Sequence, residues 1–218
     1  MYFDISSLPK YLPYFLPAAW MTLKVSALGI LLGLGLGLGT SFLRISANPL
    51  LRLPARGYIY IIRGTPLLLQ LLFIYFGLRS LAGFSALTSA VLALGVHNGA
   101  YIAEIFRGAI VSISNGQMEA ARSLGMSYSR TMIRIILPQA FKRAIPPLGN
   151  QFIIALKDSS LASTITINEL LLKSQQLASS NFMMMEMLFI AALFYLIYTA
   201  MFSWLFHRIE NRLDVSAA

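Results

Sequence analysis

The chain has 218 residues, of which 57% are hydrophobic and only 11% charged, with a net charge of +9 and no cysteine. A soluble domain carries about 25% charged residues, so the shortfall points to lipid as the main solvent. The lack of cysteine excludes disulfides, thiolate metal sites and cysteine nucleophiles, and two histidines, His97 and His207, are too few for a catalytic zinc site.

A bilayer core of roughly 30 Å takes about 20 helical residues to cross. Residues 1–17 hold Pro9, Pro13 and Pro17 among aromatics, which suits a segment lying at the outer interface. The first span is predicted at 25–43, free of charge between Lys24 and Arg44. It is too long for a removed signal peptide and lacks a small-residue cleavage site after it. Its Gly29, Gly33, Gly37 and Ser41 form an i, i+4 row that lets another helix approach closely. A phosphate-cradling loop would need a following Lys-Ser/Thr, which is absent.

The second span is predicted at 58–78, interrupted only by Arg63. Gly64-Thr65-Pro66 directly after that arginine predicts a helix kink, with Arg63 within snorkelling reach of water. The third span is predicted at 80–103, where Gly95, Gly99 and Ala103 repeat the small-residue row. Just beyond it, Glu104 and Arg107 share a helix face at i, i+3, the spacing of a salt bridge. A polar, basic segment of about forty residues, 107–145, separates this span from the next. A fourth stretch, 147–168, is interrupted by Lys157 and Asp158, and a fifth, 187–206, is clean. The expectation is an all-α polytopic membrane protein with five transmembrane helices, one membrane domain over 18–206 and a tail at 207–218.

Orientation follows from the connecting segments. Arg44, Arg52 and Arg56, then the six basic residues of 107–145, then Arg208 and Arg212 lie on one side; Lys10, Arg79 and Lys173 lie on the other. Eleven against three, alternating in order, predicts the N-terminus outside and the C-terminus in the cytoplasm. The basic balance is then a topology signal, and nucleic acid is not expected as a partner.

Within 107–145, Ser112 or Ser114 suits the cap of a short helix near Gln117, and Gly125 suits its stop. A second helical stretch is predicted from Tyr128 to Leu137, ending at Pro138. The apolar side of the first (Met118, Ala121, Leu124, Met126) has no lipid to meet, so either the membrane surface or a protein groove receives it.

The order Glu119-Ala120-Ala121, Gly125, Ile135, Leu137-Pro138 is similar to the cytoplasmic loop of permease subunits in bacterial ATP-binding-cassette importers. Arg63-Gly64-Thr65-Pro66, Ala100-Tyr101, Glu104, Gly116-Gln117, Gln139-Ala140, Pro146-Pro147, Gly149-Asn150, Leu156-Lys157-Asp158-Ser159-Ser160-Leu161 and Glu169-Leu170 follow the same family's order, over about residues 13–213. The chain thus resembles the polar amino acid permeases, with the type I importer fold. His97-Asn98-Gly99, where relatives more often carry small residues, is the main departure. The resemblance implies two permease subunits, the second a copy or a homologous sister, with two ATPase subunits beneath and an extracytoplasmic binding protein above. It implies that ATP and Mg are bound by the ATPase, that this chain is no enzyme and holds no cofactor, and that Glu119, Ala120, Ala121, Gly125, Leu137 and Pro138 couple to the ATPase.

Ionisable and polar groups inside a membrane are candidates for a solute path: Gln70, His97, Asn98, Lys157, Asp158, Ser159 and Ser160. Lys157 suits a substrate carboxylate and Asp158 an amine; the alternative for both is a structural ion pair with another helix. A stand-alone secondary transporter or channel is the competing reading, and its mark would be intramembrane charge without a docking loop. A membrane enzyme would need a clustered nucleophile and base, which the spacing does not offer.

Overall fold

The computed structural model describes residues 8–78 and 83–213, and every regular element among them is helical. Helix α1 (Leu8–Ile45) runs for 38 residues, about 57 Å at 1.5 Å per residue. Residues 8–17, predicted to lie along the interface, are its opening turns, with Pro13 and Pro17 inside the helix; residues 1–7 fall outside the described ones. Helix α2 (Pro49–Arg63) starts where the Asn48 side chain accepts the Leu50 amide at 2.9 Å and Pro49 supplies a preset φ.

The stretch predicted as one span over 58–78 is two helices. After α2 the chain breaks at Gly64-Thr65-Pro66, and α3 (Leu67–Leu72, continuing as π-helical turns to Leu78) leaves at 105°. Pro66 has no amide to continue the ladder, so the break falls where the kink was expected.

Helix α4 (Ala86–Val111) begins at a Ser85 cap; its start is later than the predicted 80, and 79–82 lie outside the described residues. A 67-residue tract then carries α5 (Asn115–Ser123), α6 (Tyr128–Thr131), α7 (Leu137–Asp158) and α8 (Leu170–Asn181), before α9 (Met184–Arg212) closes the chain. Pro138 ends nothing. It sits in the first turn of α7, and the chain widens ahead of it into a π-helical turn, Met132–Ile136, where the Leu137 amide reaches back to Met132 O. That wider turn moves the carbonyls a proline ring would otherwise strike. Pro146 and Pro147, read as the edge of a span, lie inside α7.

Three helices (α1, α4 and α9) are long and apolar enough to cross a membrane, and α2 with α3 makes a fourth if the bent pair is one span. The predicted span 147–168 instead falls on α7 and a 3-10 segment, Ser159–Ile165. Lys142, Arg143, Lys157 and Asp158 punctuate α7, so it lacks the uninterrupted apolar length of the other three.

The small-residue rows meet as expected. A Cβ on Gly29 would lie 2.8 Å from Leu94 Cβ, one on Gly33 3.1 Å from Asn98 Cβ, and one on Gly37 2.5 Å from Ile102 Cγ2. From the other side, Gly95 lies against Leu32, and Gly99 against Leu36 and the Tyr58 hydroxyl. The rungs rise together along both helices, so α1 and α4 run parallel with their backbones nearly touching. Around this pair, α3 closes one end of the core with Leu67, Leu71 and Tyr75. Helix α7 closes a second side with Ala140, Ala144 and Ala155, and α8 and α9 close a third with Leu170, Met187 and Ile190 against Phe15.

Candidate functional site

The predicted path residues fall into three places. The first is the elbow between α2 and α3. There the Gln70 amide nitrogen donates to Ile62 O (2.8 Å), Thr65 O (3.1 Å) and Thr65 Oγ1 (2.8 Å). Its oxygen can only accept, so the proton at 3.1 Å belongs to His97 Nδ1. Gln70 thereby satisfies carbonyls that the 105° break leaves without helical partners. His97 in turn tilts over Tyr101 (centroids 5.1 Å apart), and the Arg63 guanidinium lies 5.0 Å over the same Tyr101 ring.

The second place is the middle of the bundle. Asn98 is fully buried (0% exposed), its amide nitrogen donating to Leu94 O at 2.7 Å. Its oxygen accepts from Gln151 Nε2 of α7 at 2.8 Å. Gln151 was not singled out from the sequence, because a single glutamine within a predicted span carries no pattern of its own.

The third place is where α7 ends against α9. Lys157 and Ser160 share a cleft of about 460 Å³ with Ala192, Tyr195, Leu196 and Thr199. Lys157 is exposed to this cleft, Asp158 is half-buried, and neither makes an ion pair among the described residues. The Ser159 hydroxyl is turned back onto Leu156 O at 2.7 Å. At the cleft's edge the Tyr195 hydroxyl donates to Glu169 at 2.8 Å. Glu169 is 0% exposed and also accepts the Leu171 and Leu172 amides (2.9 and 2.8 Å), capping α8. The next amide, Leu170, donates to Thr22 Oγ1 of α1 at 3.3 Å. One carboxylate therefore ties α8 to α9, beside a tie to α1.

The segment between α4 and α7 is folded onto the core. Ser114 caps α5, accepting the Gly116 amide. Gly125 takes φ +80°, the Gly125 amide donates to Arg122 O (3.0 Å) and the Met126 amide to Ala121 O (3.1 Å). This pair of bonds is the Schellman stop, in which glycine alone avoids the left-handed penalty. The single apolar side expected of α5 divides: Ala121 is buried and Met118 packs with Ile113, Ile136 and Ala140, whereas Leu124 is 84% exposed beside exposed Glu119 and Ala120. Arg143 of α7 pins the arrangement, donating to Ser112 O (2.7 Å) and Oγ (3.1 Å) at the end of α4. Leu137 is half-buried and Pro138 exposed. At the C-terminal ends of α1 and α4, Glu104 accepts Arg107 at 2.8 Å, the predicted pair, and Arg44 comes within 3.6 Å. No cluster of residues suited to a metal ion occurs among the described residues.

Residues 9–215 match the binding-protein-dependent transport system inner membrane component family. The chain belongs to that family. It is 40% identical to the glutamine transport system permease protein GlnP of Escherichia coli K12 over 99% of this chain and 100% of that one. It is 40% identical to the L-cystine transport system permease protein TcyB of Bacillus subtilis over 89% of this chain and 84% of that one. The arginine transport system permease protein ArtQ of Bacillus subtilis is 34% identical over 98% of both chains. A solved amino acid ABC transporter with histidines superposes with a TM-score of 0.92 at 40% identity, over 97% of this chain and all of that one. The inward-facing MetNI methionine transporter shares the fold, with a TM-score of 0.79 at 19% identity, over 91% of this chain and 95% of that one. The protein is thus an inner-membrane permease subunit homologous to those of amino acid ABC transporters, a family that works with a binding protein and a separate ATPase.

Proposed function

We propose that this permease moves a polar amino acid inward, with Glu119, Ala120, Ala121, Gly125, Leu137 and Pro138 forming the ATPase-facing element. The supporting observation is the state of α5: buttressed from within by Met118 and Ala121, it leaves Glu119, Ala120 and Leu124 uncovered. A short rigid helix with one bare face transmits displacement to a partner without melting.

In this reading the chain crosses the membrane five times, with α7 and the 3-10 segment as the fourth crossing, the N-terminus outside and the C-terminus in the cytoplasm. The membrane domain covers 18–206, with 1–17 at the outer face and 207–218 as the tail. ATP and Mg belong to the ATPase, the solute arrives on an extracytoplasmic binding protein, and a second permease completes the path. Lys157, Asp158, Ser159 and Ser160 form the solute-facing group, because Lys157 lies in an open cleft with no carboxylate paired to it among the described residues. Gln70, His97 and Asn98 frame the path while their polar atoms hold helices together.

The test is co-purification from mild detergent with mass spectrometry. The wild type should carry an ATPase subunit in about equal amount, and Glu119→Lys should lose it while still inserting in the membrane. If the chain came out alone and moved solute in liposomes without ATP, it would be a secondary transporter and the assignment of α5 would fall.

A further inference from the structure

A second polar cavity lies away from Lys157 and from α5. It measures about 480 Å³ and is lined by Arg44 of α1, Arg56, Ile59, Tyr60 and Arg63 of α2, and Glu104 of α4. Glu104 is the lone carboxylate of this lining. Its Oε2 is taken by Arg107, through Nη2 at 2.8 Å and Nε at 2.9 Å, and its buried Oε1 has no hydrogen bond among the described residues, Arg44 Nε standing at 3.6 Å. Arg63 rests on Tyr101, and Arg56 has no hydrogen bond or ion pair among the described residues. Three guanidinium groups line the cavity against a single carboxylate, an excess of two positive charges, and Arg107 behind Glu104 raises it to three. One turn earlier on α2, the Arg52 Nε is buried and also without a hydrogen bond among the described residues.

Guanidinium forks suit the oxygens of a phosphate, which they bind in pairs. The cavity is much larger than one phosphate and adds Ile59 and the exposed ring of Tyr60, with Leu53 (60% exposed) on the same helix as an apolar neighbour. A basic pocket between helices, with apolar surface adjoining it, matches a lipid headgroup whose glycerol and chains continue into the bilayer. Helix α2 has the form such a site asks for: a basic stripe at Arg52, Arg56 and Arg63, apolar elsewhere, turned 105° from α3.

We propose that this cavity is a phosphate-binding site and that it holds the headgroup of an anionic phospholipid. The site depends on the membrane location of the chain and is independent of the assignment of α5. Full-length protein in phosphatidylcholine nanodiscs containing a minority of phosphatidylglycerol, analysed by native mass spectrometry, should retain phosphatidylglycerol in preference to phosphatidylcholine. Arg56→Gln should lower that preference about fivefold, Arg56→Lys should keep most of it, and Arg130→Gln on α6 should leave it unchanged. Because Arg56 has no partner among the described residues, the variant should melt with the wild type, which a thermal scan checks. In pure phosphatidylcholine discs, broadening of the inorganic phosphate resonance that Arg56→Gln removes would support the site with free phosphate as its occupant. Equal phosphatidylglycerol retention and equal phosphate broadening in wild type and Arg56→Gln would overturn the proposal.

Discussion

Lys157 and Glu169, twelve residues apart in the chain, do opposite work. Lys157 lines an open cleft and has no ion-pair partner among the described residues, so no salt bridge is lost with it. Losing one charged hydrogen bond to a solute carboxylate costs about 1.5–3 kcal/mol. Lys157→Ala should therefore weaken solute affinity by roughly tenfold or more at normal abundance, measured as the KM of uptake in reconstituted vesicles; a fall in abundance alone would return Lys157 to a structural role. Glu169 is fully buried and takes three donors. Glu169→Ala strands the Leu171 and Leu172 amides and the Tyr195 hydroxyl, and should cost about 1–3 kcal/mol in detergent melting for the unpaired groups alone. The sequence offered Lys157 plainly, as a charge inside an apolar run. It offered Glu169 only as part of a motif, because an acid between two apolar stretches looks the same whether it caps a helix in the core or faces water. Gln151 was invisible for a similar reason: its partner Asn98 is 53 residues away, and no local pattern records that distance.

At the scale of the element, periodicity was the readable signal and register the unreadable one. The i, i+4 glycines of α1 announced a close helix partner, and Gly29, Gly33 and Gly37 each meet α4. Gly35 and Gly39, in the same glycine-rich run, meet nothing within 4 Å. Gly37→Leu should accordingly destabilise the protein by about 1–3 kcal/mol through overpacking, whereas Gly35→Leu should be neutral or slightly stabilising through helix propensity; equal melting temperatures for the two would contradict the packing. The kink at Gly64-Thr65-Pro66 was equally legible, although its 105° angle depends on Gln70 and on the packing of α3, which lie outside the tripeptide. The π-helical turn at Met132–Ile136 was not legible at all. A proline at 138 reads as a helix end, and only the chain beyond it shows that a wider turn can absorb the ring and let α7 continue.

For the whole molecule, the parallel pair of α1 and α4 is the frame on which the other helices are hung. Its backbones approach so closely that the ideal Cβ of Gly29 lies 2.8 Å from Leu94 Cβ. A disulfide needs about 3.5–4.5 Å between Cβ atoms, so a small outward shift would admit one at Gly29→Cys with Leu94→Cys. If the pair moves as one body during transport, the oxidised double variant should take up solute at a rate close to its own reduced form. Uptake that stops on oxidation and returns on reduction would place the moving boundary between these two helices. The spacing of the contacts says why it should lie elsewhere. Each tooth of α1 that fits α4 recurs after four residues, and the next matching position is about 6 Å along the axis. The two helices therefore behave as a toothed rack: a slide of one or two ångströms meets side chains instead of gaps, and gradual creep between them is blocked.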